Sequence, residues 1–381
     1  MREKDKILAL KLVFSALNMD FSGQDFNCGD TEIEWENIYR LLKKHDVAHL
    51  LAYAIEKNDF EGKDIGITKD LKRDMLMAVY RYERLYFEQQ RIQECLISNN
   101  IPFILLKGAV IRKYYIEPWL RTSCDIDILV PIDNLSQTAK IIAKTLDYRV
   151  DDKEAYDISL FSEGGVHLEI HSLMEGDSDE KKLLSLVWDT SCVKGNSEHF
   201  MSNELFYFYH IAHMAKHFRN GGCGVRPFID LKVMQKAFSY DRATVDDLLI
   251  EWGLEKFESS ALSLADCWEQ GIKTDLISME NYILYGGVYG AMEQYVAATQ
   301  KTSSKSQYIK RRIFMPYGEL KKRYKVLEKY KWLTPLFEVI RWISLLSPTR
   351  AKQTARELNK LQRIEEKHRI EIAEMFSNLE L

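Results

Sequence analysis

Residues 105–130, LLKGAVIRKYYIEPWLRTSCDIDILV, read as the end of one apolar strand, a turn, a short helix, a loop and a second strand. The first strand is PFILL (102–106), and the Lys107-Gly108 turn leads into a short helix over Ala109–Tyr115. Glycine at 108 is expected to permit that tight turn. Side chains on a strand alternate faces, so DIDILV turns Asp125 and Asp127 one way and Ile126, Ile128 and Val130 into a core. Two adjacent carboxylates repel, each raising the cost of ionising the other. A hard divalent cation such as Mg²⁺ or Mn²⁺ on that face relieves the repulsion. About forty residues on, VHLEIH repeats the alternation: His167, Glu169 and His171 share one face, and Val166, Leu168 and Ile170 the other. A third carboxylate on a neighbouring strand completes a metal site for phosphoryl-group chemistry.

The other patterns are consistent with an α+β chain, in which a small mixed sheet is flanked by helical N-terminal and C-terminal regions. Ile33–Ala54 has apolar residues at helical spacing, and Leu71–Ile97 is a long amphipathic run ended by Asn99, Asn100 and Pro102. After DIDILV, Asp133 is the expected N-cap of a helix over Asn134–Leu146. Tyr148–Val150, Ile158–Phe161 and Val166–His171 read as three more strands, with Gly164-Gly165 turning the last pair. Glu204–Phe218 is helical, as is a segment from Arg226 to Phe238, where Arg226 and Asp230 stand four apart and are expected to pair. Trp332–Leu346 reads as an amphipathic helix, and the charged tail Ala351–Phe376 as a surface helix. By pattern the chain divides into a helical region (1–99), a catalytic core (100–175), a helical substrate-shaping region (176–300) and basic, amphipathic C-terminal helices (301–381).

Composition is ordinary, with 46% hydrophobic and 29% charged residues, which argues against wholesale disorder. Seven prolines in 381 residues favour long helices. No charge-free run reaches membrane-spanning length, so a cytoplasmic protein is expected. The six cysteines are scattered, with none at C-x-x-C spacing, which argues against a thiolate zinc site. Cys124, next to Asp125, is expected to pack in the core on the opposite strand face. Residues 301–331 hold eleven Lys or Arg against two Glu, a local +9 in a chain of net charge −4. Such a stripe attracts polyanions, nucleic acid among them, or is simply a solvated helix face.

Taken together, Leu106-Lys107-Gly108, Arg121, Asp125-Ile126-Asp127 and Glu169-Ile170-His171 resemble the bacterial uncharacterised nucleotidyltransferase proteins. That group belongs to the DNA-polymerase-beta-like nucleotidyltransferase superfamily. Its members carry Leu-Lys-Gly where the wider superfamily has Gly-Ser, an Arg before the Asp-x-Asp, and an acidic-x-His strand. The likeness extends, by pattern, to HIAHMAKH (210–217) with Arg226 and Asp230, and to RRIFMPYGELKKRY (311–324).

The resemblance implies transfer of a nucleoside monophosphate from a triphosphate such as ATP to an acceptor hydroxyl, with Asp125, Asp127 and Glu169 as catalytic metal ligands. Lys107, Gly108, Arg121 and Ser123 become candidates for nucleotide binding, the Gly turn offering backbone N–H groups and a helix N-terminus to phosphate. His171, His213, Arg226 and Asp230 become candidates for the substrate pocket. Several of these have a plainer alternative. Lys107 is otherwise a surface lysine, Arg121 otherwise pairs with an Asp, Glu169 otherwise pairs with Arg121 or a lysine, and His171 is otherwise a satisfied polar residue. His167 is expected at the sheet edge, and Tyr114 and Tyr115 are expected to pack. His210, His213 and His217 lack the acidic partner of a zinc protease motif, and pocket lining fits them better. Two further functions compete: an RNA-end nucleotidyltransferase docking through 301–331, and a non-catalytic nucleotide-binding scaffold.

Overall fold

The structure is a computed structural model and describes residues 1–17, 33–57, 66–153, 157–172, 179–288, 326–337 and 366–381, with positions 290, 294, 317 and 320 between them. The chain forms two compact units, one of residues 1–215 and 225–276, the other of 216–224 and 277–381.

The larger unit opens with helices α1 (Glu3–Ser15), α2 (Trp35–Lys44), α3 (Ala48–Lys57) and α4 (Thr68–Ser98). The run expected to be helical over Ile33–Ala54 is therefore broken, and Asp46 sits in the break at φ +53°. Strand β1 (Phe103–Leu105) and the one-turn helix α5 (Gly108–Ile111) lead through 3₁₀ turns to β2 (Asp125–Val130). Then follow α6 (Ile132–Leu146), β3 (Arg149–Lys153), β4 (Asp157–Phe161), β5 (His167–Ser172), α7 (Asp179–Asp189), β6 (Cys192–Lys194) and β7 (Glu198–Phe200). Helices α8 (Asn203–Arg219), α9 (Arg226–Ala237), α10 (Arg242–Trp252) and α11 (Glu255–Gln270) come next. Helix α6 starts earlier than expected: Pro131 precedes its first turn and no side chain caps it, so Asp133 lies inside the helix.

The strands make one mixed sheet in the order β3-β4-β5-β2-β1-β7-β6. Strand β2 runs parallel to β5 and antiparallel to β1. The short, largely polar β6 and β7 carry no clear alternation and add two strands to those read from sequence. One face of the sheet is apolar. Ile126, Ile128, Val130, Leu168 and Ile170 pack there with Leu85, Ile92 and Leu96 of α4 and Leu135, Ala139 and Ile142 of α6. Burial of this cluster holds the sheet against the two helices and leaves the carboxylates of β2 and β5 on the other face.

The second unit contains α12 (Ile277–Gly286), α13 (Val326–Lys329) and α14 (Glu366–Asn378). The rings of Phe218, Tyr282 and Phe376 meet at centroid distances of 4.7–5.7 Å. Ile372, Met375 and Phe376 are buried, so the described end of the tail is not a bare surface helix. Most of the basic stretch 301–331 and of the amphipathic run 332–346 lies outside the described residues. Among the described residues, no helix is long and apolar enough to cross a membrane.

Candidate active site

The site is assembled by strand register. Asp125 stands opposite His167 and Asp127 opposite Glu169 across the parallel β2–β5 pair. In this way the period-2 pattern of two distant segments becomes one polar patch. Ligating atoms of Asp127, Glu169 and His171 lie within 4.8 Å of one another, and those of Asp125, His167 and Glu169 form a second such set. His167 is not at a sheet edge, because β5 lies between β2 and β4. Its Nε2 meets the Ser159 hydroxyl, and its ring stacks on Phe161 at 4.5 Å.

The three carboxylates differ. Asp127 is 3% exposed, and its Oδ1 accepts from Lys107 Nζ at 2.7 Å and lies 2.8 Å from His171 Nε2. Burial pushes this carboxyl up, but Lys107 and His171 outweigh it and hold Asp127 well below the usual carboxylate range. Burial, and after it the charge of Asp127, raises both Asp125 and Glu169. His171 is opposed by burial as well, yet its hydrogen bonds to Asp127 and Asp157 lift it to about 9. Glu169 approaches His171 Nε2 at 3.5 Å and His167 Nε2 at 3.8 Å. Arg121, one of the partners left open for Glu169, is engaged elsewhere.

The turn before α5 works differently from expectation. The residue with a left-handed φ is Lys107, at φ +48°, ψ −123°, and not Gly108. A non-glycine residue held there stores strain of about 1–3 kcal/mol, a cost that tends to be kept at functional sites. Gly108 is needed for space instead: a Cβ there would meet Ser123 Cβ and Oγ at 3.3 Å and Arg121 Nη1 at 3.5 Å. The N–H groups of Ala109, Val110 and Ile111 are already bonded to the carbonyls of Leu106 and Lys107. They are not open to phosphate, and a one-turn helix has little dipole to offer.

The loop 115–124 is held from the helical regions. Arg121 Nε donates to Asp230 at 2.8 Å and 3.0 Å, and the buried Tyr115 hydroxyl donates to the same carboxylate at 2.6 Å. Arg121 thus forms an ion pair with an Asp, and Tyr115 does more than pack. Arg226 does not pair with Asp230; its Nη2 reaches Asp46 Oδ2 at 2.8 Å. Asp230 is 1% exposed, and a carboxylate so buried takes the donors packed against it, which here are Tyr115 and Arg121. Arg81 also pairs with Asp46, at 3.1 Å. His49 Nε2 lies 2.9 Å from the Leu120 carbonyl, and burial lowers this imidazole to about 4. Ser123 is buried, receives Arg112 Nη2 at 3.2 Å and donates to the Asp125 carbonyl at 3.3 Å.

His213 is half-buried and stacks on Tyr209. His210 Nε2 is taken up by the Pro227 carbonyl, and His217 is exposed. Cys124 is exposed and not in the core, because the strand alternation starts only at Asp125. Asp46 and Asp157 are the site residues that sequence reading missed. Neither sits in a recognisable motif, and both act on partners remote in sequence.

Several solved structures are similar to the chain. The antibiotic-resistance factor ANT(2'')-Ia, known from a solution structure, is 14% identical over 45% of this chain and 91% of that one, with a TM-score of 0.30. Terminal uridylyl transferase 4 from Trypanosoma brucei, with bound GTP, is 13% identical over 54% of this chain, with a TM-score of 0.22. The chain spans 61% of that enzyme's chain, and its form with bound CTP gives the same values. No curated protein matches. A family profile described as uncharacterised nucleotidyltransferase matches residues 31–270, well over half of the chain and the whole run from α2 through α11. By that match the chain belongs to the uncharacterised nucleotidyltransferase family.

Proposed function

We propose that the protein moves a nucleoside monophosphate from a nucleoside triphosphate to a hydroxyl of a small molecule or protein, releasing pyrophosphate. The observation that supports this most is the register of β2 and β5, which sets Asp127 opposite Glu169 with Asp125 two residues away on the same face. Asp125, Asp127 and Glu169 would hold Mg²⁺ or Mn²⁺. The residues fit such an ion, because two of the three carboxyls are raised by burial and mutual repulsion, a cost a dication offsets. When bound, divalent cations stabilise the charge on the attacking and leaving oxygens of an in-line displacement.

The remaining work belongs to side chains. Lys107, strained beside the carboxylates, supplies a positive charge to the triphosphate. Glu169, half-buried and with a raised carboxyl, accepts the proton of the acceptor hydroxyl. Gly108 lets the turn approach the loop closely, and Ser123 and Arg121 keep that loop in place beside the nucleotide. Asp230 and Arg226 act through this loop, while His213 contributes to the acceptor pocket. The cytoplasm, where nucleoside triphosphates are available, is the compartment we assign.

Pyrophosphate release from a panel of nucleoside triphosphates, with candidate acceptors and with Asp125→Asn as control, tests the reading. Release that is absent with every cation and acceptor, or unchanged in Asp125→Asn, removes it. The local +9 over 301–331 favours a second reading, an RNA end as acceptor. That reading requires RNA binding which weakens steeply with salt.

A further inference from the structure

Asp157 has no part in the transfer chemistry described above. It stands opposite His171 in the β4–β5 register, and its Oδ1 lies 2.8 Å from His171 Nδ1. The other ring nitrogen, Nε2, faces Asp127 Oδ1 at 2.8 Å and Glu169 Oε2 at 3.5 Å. A carboxylate on one nitrogen, with metal-binding oxygens around the other, is how a histidine ligand is commonly oriented. Asp157 accepts a hydrogen bond from Nδ1–H and so keeps the proton on that nitrogen; a cation that displaces the Nε2 proton now facing Asp127 then meets the Nε2 lone pair. The donor atoms of Asp127, Glu169 and His171 lie within 4.8 Å of one another. Donors about 2.1 Å from one cation are at most about 4.2 Å apart, so small side-chain rotations close the set.

We propose that His171 is a direct nitrogen ligand of the cation held by Asp127 and Glu169, oriented by Asp157, and that this position favours a first-row transition cation over Mg²⁺. The inference rests on the nucleotidyl-transfer reading of the same carboxylates and adds a ligand and a metal class to it. Imidazole suits transition cations, whereas Mg²⁺ keeps to oxygen donors in near-ideal octahedra. The second donor set also contains an imidazole, that of His167. There the Nε2 is taken by Ser159 and the ring is stacked on Phe161, and among the described residues no carboxylate hydrogen-bonds to the imidazole to orient it for a metal. The nitrogen ligand is therefore His171.

The test uses the full chain, stripped with chelator and loaded with one equivalent of Mn²⁺. Pulsed electron paramagnetic resonance reads the ¹⁴N coupling of a coordinated imidazole directly. The expected result is a ¹⁴N coupling that persists in His167→Asn and disappears in His171→Asn. Mn²⁺ affinity, measured by titration, falls about tenfold or more in both His171→Asn and Asp157→Asn. In His171→Asn, Mg²⁺ affinity stays within about threefold, as oxygen-only binding requires.

Failure of wild type to bind Mn²⁺, Mn²⁺ bound without ¹⁴N coupling, or a coupling that survives His171→Asn overturns the proposal. If His171→Asn does not fold, the wild-type spectrum and Asp157→Asn still decide the matter. Cation-dependent pyrophosphate release together with an oxygen-only Mn²⁺ spectrum defeats this proposal and spares the nucleotidyl-transfer reading. An intact His171 coupling with no transfer under any condition supports the nitrogen ligand and defeats that reading.

Discussion

Lys107 Nζ lies 2.7 Å from Asp127 Oδ1, and that contact makes the two aspartates of the Asp-x-Asp pair unequal. Asp127 is buried under Lys107 and His171, whereas Asp125 is half-buried and has its carboxyl raised by burial and by Asp127. Their alternation on one strand makes them look interchangeable; their partners do not.

Asp125→Asn and Asp127→Asn are both expected to abolish transfer, but to move the stability of chelator-treated protein in opposite directions. Asp125→Asn removes a repelled charge and leaves the melting temperature unchanged or higher. Asp127→Asn leaves two cationic donors facing a neutral amide and costs about 1.5–3 kcal/mol, the usual size of a hydrogen bond to a charged group. Thermal melts of the two variants check this, and equal shifts would show that the Lys107 contact contributes little.

Lys107→Ala and Lys107→Gly remove the same charge and differ only in backbone freedom. Both are expected to weaken triphosphate binding by about 1.5–3 kcal/mol, with little effect on the bare nucleoside. Lys107→Gly is expected to be the more stable of the two by about 1 kcal/mol, since glycine adopts φ +48° without strain. Calorimetric titration and urea melts measure the two effects separately.

Glu169→Gln is expected to slow the transfer step at least a hundredfold, roughly the contribution of a positioned general base, while triphosphate binding changes much less. Single-turnover rates at saturating nucleotide isolate that step. A rate within a few-fold of wild type would take Glu169 out of the chemistry.

Asp46 holds Arg226 through Nη2, while the buried Nε of Arg226 has no hydrogen-bond partner among the described residues, and Asp46 does so from a left-handed backbone. Asp46→Asn keeps a residue tolerant of that φ and loses only the charge; Asp46→Ala adds backbone strain. Destabilisation is expected in the order Ala greater than Asn, with about 1–3 kcal/mol for the unpaired guanidinium. Loss of the brace on Arg226 should also lower kcat more than it raises KM for the nucleotide. Chemical denaturation and steady-state kinetics check both.

His49 is expected to contribute to the acid limb of stability. Its folded value, about 4, lies below the usual 6.5 because burial disfavours the charged ring. The unfolded chain takes up the proton first as pH falls, so His49's contribution is complete above pH 6.5 and is lost between 6.5 and 4. His49→Gln, which keeps an N–H for the Leu120 carbonyl, is expected to flatten the melting temperature over that window. An unchanged pH profile would place the titration elsewhere.

Sequence by itself determined which strands carry the chemistry and which way their side chains face. Alternation is a local property of extended backbone, so DIDILV and VHLEIH each sort carboxylates from core residues without knowledge of the rest of the chain. Only the tertiary structure decided that these two strands lie side by side in parallel, with Asp127 facing Glu169. It alone gave Asp230 to Arg121, 109 residues away, and Asp46 to Arg226, 180 residues away, where a four-residue spacing had suggested an Arg226–Asp230 pair. The reason is physical: a buried carboxylate must be satisfied by the donors that packing brings to it, and packing joins residues without regard to their distance along the chain.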